Sequence, residues 1–215
     1  MKRYIKSILM LFSVLSCGNL YAQKAASAPL AGQAFIDSLL KELPKQKEDT
    51  NKVKLLNSLS YGYSKVNPDD GIKYGQQELE LATKLERKKG IAAANQCLGV
   101  NYNSKSEYSR ALEYYQKALE IYEDINSKQS IATATHYIGG IYLSLGDYSK
   151  ALACYFKTLK MYEELENRLG VANVTADIGI LYIAQGDYPK GLEYRLYFTR
   201  DKLVDCFYQR IGTSS

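Results

Sequence analysis

Residues 91–130 read IAAANQCLGVNYNSKSEYSRALEYYQKALEIYEDINSKQS, and residues 131–170 read IATATHYIGGIYLSLGDYSKALACYFKTLKMYEELENRLG. Fifteen of these forty aligned positions are identical. The same spacing continues forward, because the run GDY at 186–188 follows the run GDY at 146–148 by forty residues. A weaker copy precedes the two segments, with one residue fewer in its central turn. A period of this length is typical of a solenoid, in which similar supersecondary units are stacked side by side.

Each unit contains two runs of apolar residues with the helical period, separated by a polar turn. In the segment 131–170 the first run consists of Ile138, Ile141 and Tyr142. The second run consists of Tyr148, Ala151, Leu152, Tyr155, Leu159 and Tyr162. Residues three or four positions apart lie on one face of a helix, so each run predicts one amphipathic helix. Each unit is therefore predicted to be a helical hairpin.

The turns between these helices carry helix-ending and helix-starting residues. Gly146 can adopt the left-handed conformation that ends one helix, and Asp147 can cap the next helix by accepting a free backbone N–H. In the first unit we expect Asn67 to act as the cap and Pro68 to occupy the first helical position, where its missing N–H costs nothing.

Small residues recur in both helices of the units. Gly99, Gly139 and Gly179 fall in the first helices, and Ala111 and Ala151 fall in the second helices. Glycine inside an isolated helix costs about 1 kcal/mol relative to alanine, so its recurrence predicts a close approach of two helices at these points. The large tyrosine and leucine side chains are expected to fill the space between one hairpin and the next.

This pattern resembles the tetratricopeptide repeat family, in its longer variety of about forty residues per repeat. The resemblance covers residues 51–194, divided into units 51–90, 91–130, 131–170 and a partial unit 171–194. The matching positions are the first-helix small residue at Ser60, Gly99, Gly139 and Gly179, the first-helix aromatic at Tyr63, Tyr102, Tyr142 and Tyr182, the second-helix small residue at Gly71, Ala111, Ala151 and Gly191, and the next aromatic at Tyr115 and Tyr155. The first unit departs from the family pattern, since Gly75 and Glu78 stand where an aromatic residue and an alanine are preferred. The resemblance implies an all-α fold, a right-handed solenoid of stacked helical hairpins.

The segments on either side of the repeats are predicted to close the solenoid. Residues 23–50 form a lead-in with a helical stripe that ends at Pro44 and could cover the first hairpin. The stripe comprises Phe35, Ile36, Leu39, Leu40 and Leu43. Residues 195–215 diverge from the repeat pattern. Their apolar residues Leu196, Leu203, Phe207 and Ile211 share a helical face, which favours a closing helix, and a truncated or altered C-terminus is the alternative.

The first residues of the chain resemble a secretory signal. Three basic residues precede an apolar run at 8–15, and Ala22 precedes a possible cleavage site at Gln23. Residues 1–22 are therefore predicted to be a signal peptide, and the protein to be exported to the periplasm or secreted. The alternative is a lipoprotein, because the sequence VLSC at 14–17 resembles a lipobox in which Cys17 would be acylated. Membrane association is expected only in that case.

Charge and cysteine content exclude several function classes. The whole chain has a formal net charge of +5. Removal of residues 1–22 leaves 25 basic and 23 acidic groups, a net charge of +2. Without a basic stripe, the chain is not expected to bind nucleic acid.

Cys97, Cys154 and Cys206 are singly placed, which favours a packing role over a disulfide or a metal site.

The sequence contains no recognisable catalytic motif. It has one histidine, His136, and lacks a phosphate-binding glycine loop, an HExxH motif or a nucleophile elbow. A single histidine is more often a hydrogen-bonding groove residue than a catalytic base. No enzyme activity, cofactor or metal is predicted.

The concave face of the predicted solenoid, lined by the first helices, is the expected binding surface. The candidate residues are Asn57, Tyr61, Gln96, Val100, Asn103, Thr133, His136, Tyr137, Leu143, Asn173 and Asp177. Members of the family bind C-terminal carboxylates through a lysine and asparagine clamp. The matching positions here hold Asn57, Tyr61 and Gln96, so that ligand is not expected. The sequence instead favours a non-catalytic exported scaffold that binds a protein or peptide.

An alternative role lies in signalling. The resemblance also extends to bacterial sensors, in which such repeats precede a transmembrane helix and an output domain, namely a histidine kinase, a cyclase or a DNA-binding regulator. This chain would then be the sensory part alone.

Overall fold

The computed structural model describes residues 32–195, and every regular element within that range is helical. Nine α-helices follow one another in the described range. They are α1 (32–42), α2 (Thr50–Tyr63), α3 (Pro68–Lys84), α4 (Lys88–Ser104), α5 (Tyr108–Asp124), α6 (Lys128–Ser144), α7 (Tyr148–Glu164), α8 (Arg168–Ala184) and α9 (188–195). A short 3-10 helix (Leu43–Lys45) follows α1. The predicted signal peptide, the lipobox with Cys17 and the tail after residue 195 lie outside the described residues.

The helices pack in chain order as a solenoid of hairpins. The pairs α2/α3, α4/α5 and α6/α7 are in contact, and each pair also contacts the hairpin that follows. Helix α2 contacts α4 directly, so the first helices of these two units are neighbours. The all-α solenoid predicted from the forty-residue period is therefore confirmed.

In the repeated units, the residues that end and start the helices agree with the predictions. Gly146 has a φ of 76°, and Asp147 accepts a hydrogen bond from the backbone N–H of Lys150 at 3.1 Å. Ser106 takes the same left-handed role in the preceding unit, with a φ of 59°. These observations confirm that Gly146 ends one helix and that Asp147 caps the next.

The first unit has a shorter turn and a different start to its second helix. Pro68 occupies the first turn of α3 as predicted. Asn67 occupies the predicted N-cap position of α3, but its side chain makes no capping hydrogen bond to the backbone. The Asn67 amide instead donates to the carboxylate of Asp70 at 2.7 Å. A cap would use the side-chain oxygen of Asn67 as an acceptor, whereas the observed bond is donated by its NH2 group.

Two of the recurring glycines, Gly99 and Gly139, lie where buried tyrosines pack against the first helices. A Cβ atom added at Gly99 would lie 2.7 Å from the ring of Tyr115, and one added at Gly139 would lie 2.8 Å from the ring of Tyr155. Both tyrosines are almost fully buried. Real Cβ atoms do not approach other atoms this closely, so the close approach predicted from the glycines is confirmed.

The interface between the first two units contains a buried polar cluster. The Asn101 amide donates to the backbone oxygens of Ser60 at 3.1 Å and Cys97 at 2.8 Å. Ser60 donates its hydroxyl hydrogen to the carbonyl of Gly71 at 2.8 Å. Gly71 makes room for the asparagine, because a Cβ at this position would lie 1.8 Å from Asn101 Oδ1.

The lead-in helix α1 lies against the first hairpin. Ile36 is fully buried, and its side chain lies 3.3 Å from the place that a Cβ of Gly62 would occupy. Leu43 packs against the cluster formed by Val53 and Leu56. Phe35, which belongs to the same predicted stripe, is half exposed.

The two cysteines in the described range are free thiols in packing positions. Cys97 is buried, and Cys154 packs against the hydrophobic cluster around Tyr115. Burial raises the pKa of the Cys97 thiol, so it behaves as a small apolar residue.

Candidate functional site

The eleven predicted groove residues all lie on the first helices of the units, and none is fully buried. Helix α2 carries Asn57 and Tyr61, α4 carries Gln96, Val100 and Asn103, α6 carries Thr133, His136, Tyr137 and Leu143, and α8 carries Asn173 and Asp177. The placement agrees with a groove lined by first helices. Their role in binding a ligand stays a prediction.

The histidine in this set has a partner on the next first helix. Nε2 of His136 lies 2.7 Å from Oδ2 of Asp177, which joins α6 to α8. The His136 ring is stacked against Tyr137, with an interplanar angle of 12°, and meets the ring of Tyr155 edge-on. Asp177 fixes the orientation of the imidazole, so both groups present a defined polar feature in the groove.

Aromatic side chains extend this surface across the first three units. Tyr137 stacks on the buried ring of Tyr115, with the ring centroids 5.2 Å apart. Tyr61, which is half exposed, is its neighbour on α2. Burial is the main cause of the raised pKa of Tyr137, and the neighbouring Tyr61 adds to it. Tyr137 therefore has a packing role as well as a surface role.

The remaining candidates divide into polar groups and packing residues. Thr133 donates to the Gln129 carbonyl at 3.0 Å, so the hydroxyl of Tyr162, also 3.0 Å away, is the donor in their shared hydrogen bond. Val100 and Leu143 pack against hydrophobic clusters. Asn173 is exposed, and Gln96 and Asn103 are partly exposed.

A second feature lies at the N-terminal end of the groove and was not predicted as a site. The side chain of Glu78 is fully buried, and its Oε1 accepts a hydrogen bond from the Asn57 amide at 3.0 Å. The same amide nitrogen lies 3.1 Å from the sulfur of Cys97. Burial raises the pKa of Glu78 to about 8, and the hydrogen bond from Asn57 opposes that rise. The clue in the sequence was the acidic residue at a position where the following unit has Ala118.

Glu78 forms part of the wall of a cavity of about 420 Å³. The cavity lies between α2, α3 and the start of α4, and its other walls include Val53, Asn57 and Ala93. Within residues 32–195 no group of three or more histidine, cysteine or acidic side chains is arranged to hold a metal ion. None of the helices in that range combines the length and the apolar character required to cross a membrane.

Comparison with known families decides the nature of the repeats. One tetratricopeptide repeat model matches residues 92–130, and a second matches residues 130–194. Residues 92–194 belong to the tetratricopeptide repeat family. The two matched segments meet at the boundary between the second and third hairpins, as the forty-residue period requires. No curated protein has a significantly similar sequence.

Solved structures share the fold of this chain at low sequence identity. A Rap protein in complex with Competence and Sporulation Factor has a TM-score of 0.72 and 21% identity over 85% of this chain, which spans 51% of the Rap chain. The apo form of RapI has a TM-score of 0.66 and 20% identity over 88% of this chain, and 70% of RapI is covered.

A third structure comes from a signalling protein. A signal transduction ATPase with numerous domains from Pyrococcus horikoshii, which has a tetratricopeptide repeat sensor, has a TM-score of 0.67 and 22% identity. The match covers 81% of this chain and 27% of that protein. The chain therefore spans about half of the Rap protein and about a quarter of the ATPase. At these identities the likeness shows the fold alone.

Proposed function

We propose that the protein is a non-catalytic, exported repeat scaffold that binds a peptide or protein segment along its concave face. The observation that carries this proposal is the arrangement of the first helices. They present partly exposed polar and aromatic side chains, with His136 and Asp177 fixed against each other across two units.

Such a surface suits an extended peptide. Hydrogen-bonding groups at defined positions recognise the peptide backbone and polar side chains, and the tyrosines supply rigid contact area. The helices beneath are already packed, so the protein itself loses little conformational entropy when the ligand binds. The similarity to a Rap protein that holds Competence and Sporulation Factor supports a peptide as the class of ligand.

Export is the second part of the proposal. The basic start, the apolar run at 8–15 and Ala22 support cleavage of residues 1–22 by a signal peptidase. Acylation of Cys17 is the alternative, and it would tether the protein to a membrane. The mass of the N-terminal peptide of the mature protein distinguishes them, because cleavage leaves Gln23 and lipidation leaves a modified Cys17.

A sensory role in signalling is the alternative function. The likeness to a repeat sensor in a signal transduction ATPase favours it. Peptide binding on the concave face would then be the input step, so the binding surface is the same in both proposals.

A photo-crosslinking amino acid tests where the partner binds. We would place it at Gln96 or Asn103 in the groove and, as matched controls, at Glu120 or Lys160 on exposed faces of the second helices. Each variant is expressed in the native host and irradiated. We expect a shared crosslinked partner at the groove positions and not at the controls. A shared partner captured only at Glu120 and Lys160 would contradict the proposal.

A further inference from the structure

The cavity of about 420 Å³ at the N-terminal end of the groove has a largely apolar wall. Val53 and Gly90 pack closely in this wall, because a Cβ added at Gly90 would lie 3.2 Å from Cγ1 of Val53. Ala93 continues the wall into the groove, since the equivalent positions in the next two units are the groove residues Thr133 and Asn173. In another protein a cavity of about 150 Å³ holds a benzene molecule, so this one has room for a large apolar side chain.

Three basic side chains lie at the edge of the cavity, where each lines the wall and is exposed to solvent: Lys54, Arg87 and Lys89. None of the three forms an ion pair with another described residue. The nearby lysines in the same segment differ from them. Lys84 is paired with Glu48, and Lys88 is paired with Asp124. The acidic groups of this region are therefore used elsewhere, and the edge of the cavity keeps its positive charge.

The acidic side chain in the cavity wall does not cancel this charge at neutral pH. Glu78 is fully buried, and burial raises its pKa to about 8. Its carboxyl group is therefore mostly protonated at pH 7. One of its oxygens accepts the hydrogen bond from Asn57 and the other is closed to solvent, so neither is offered to a ligand. The cavity thus combines an apolar interior with a positively charged edge.

We propose that this cavity binds a large apolar side chain of an acidic peptide segment, whose flanking carboxylates lie at Lys54, Arg87 and Lys89. Burial of the apolar side chain supplies affinity, and the opposite charges guide the segment and fix its register. A small anion would leave the apolar wall uncovered, and a neutral apolar ligand would leave the three cations unpaired. The inference rests on the proposed function, since the segment would belong to the peptide in the groove. Asn57 belongs both to the predicted groove and to the cavity wall, so the two surfaces are continuous.

Three short peptides, each acetylated and amidated at its ends, test the apolar and the charged part of the inference separately. They have the sequences EEFEE, EEAEE, which lacks the large side chain, and KKFKK, in which the charge is reversed. Isothermal titration calorimetry of the mature protein at pH 7 and low salt should show that EEFEE binds at least about tenfold tighter than either of the others. About 0.5 M NaCl should weaken that binding at least about threefold, because salt screens the charges.

A pair of charge variants locates the site. The first variant removes the positive charge at the cavity by three substitutions, Lys54→Gln, Arg87→Gln and Lys89→Gln. Its control removes exposed lysines from the second helices, by Lys73→Gln, Lys157→Gln and Lys160→Gln. Both variants lose the same net charge. The first should bind EEFEE at least about fivefold more weakly, whereas the control should stay within about twofold of the wild type.

A second pair of variants tests the cavity itself. Ala93→Leu fills part of the cavity and should remove the preference for EEFEE over EEAEE. Asn173→Leu adds the same side chain at the equivalent position two units away and should retain the preference. If Ala93→Leu does not fold, the peptide comparison on the wild-type protein and the charge variants decide.

Three results would overturn the inference. They are equal binding of EEFEE and either of the other peptides, no binding of EEFEE up to about 10 mM, and an equal effect of the two charge variants. None of them bears on crosslinking at Asn103, which tests the proposed function outside the cavity.

Discussion

Replacement of either of two adjacent glycines in α6 by alanine should change the free energy of unfolding, and the two changes should have opposite signs. A Cβ added at Gly139 would lie 2.8 Å from Cε1 and 2.9 Å from Cδ1 of Tyr155. It would also lie 3.1 Å from Cβ of Cys154. Tyr155 is almost fully buried and cannot move aside freely. At Gly140 the nearest atom is the hydroxyl of Tyr155 at 3.8 Å, an ordinary contact distance.

The magnitudes follow from two opposing effects. Replacement of a helical glycine by alanine stabilises a helix by about 1 kcal/mol, and overpacking of a core costs about 1–3 kcal/mol. Gly140→Ala gains the first effect alone, so we expect stabilisation of up to about 1 kcal/mol. Gly139→Ala experiences both effects, and Gly139→Leu adds further volume. We therefore expect Gly139→Ala to destabilise by up to about 2 kcal/mol, and Gly139→Leu by more.

Urea denaturation, followed by circular dichroism at the helical band, measures the free energy of unfolding of each variant. Equal m-values for variant and wild type would show that the unfolding transition is comparable. Equal stabilisation by the two alanine substitutions would refute the reasoning, because it would show that Gly139 does not lie at a close helix contact.

The other predictions concern pH, the first interface, the groove and the secondary structure. The unfolded pKa of Glu78 is about 4.5 and the folded pKa about 8. The folded state therefore binds more protons between these values, so stability should fall as pH rises through that window, by at most about 1.4 kcal/mol per pH unit; urea midpoints at pH 5, 6.5 and 8 should show this dependence and lose it in Glu78→Gln. Gly71→Ala should cost about 1–3 kcal/mol because its Cβ would collide with Asn101, and the cost should shrink in an Asn101→Ala background, as a double-mutant cycle would measure. The double change of His136 and Asp177 to asparagine should weaken binding of the crosslinked partner by about tenfold, whereas Glu120→Gln should leave it within about twofold, and the reverse order would place the site outside the groove. The far-ultraviolet circular dichroism spectrum should be dominated by helix, and substantial sheet content would contradict the architecture.

The architecture was predictable because it depends on features that recur. The hairpins repeat the same apolar spacing. The second and third hairpins also repeat the close contact of glycine and tyrosine, Gly99 with Tyr115 and Gly139 with Tyr155. The left-handed turn at Gly146 and the cap at Asp147 were predictable for the same reason.

Features that occur once were not predictable from the period. The side chain of Asn67 donates to Asp70, a local contact that the general preference for asparagine at helix caps does not predict. His136 and Asp177 were both placed in the groove, but their contact depends on how far α8 is displaced relative to α6. Glu78 was recognised only as a departure from the family pattern, because nothing in the sequence indicates that Asn57 and Cys97 enclose it.

Hydrogen exchange of the mature protein, alone and in complex with the partner that crosslinking identifies, tests the binding surface most directly. Peptides from α2, α4, α6 and α8 are compared with peptides from α5 and α7. Binding along the concave face predicts slower amide exchange in the first helices, greatest in α6 around His136, with little change in α5 and α7. Protection confined to α5 and α7 would contradict the concave-face account.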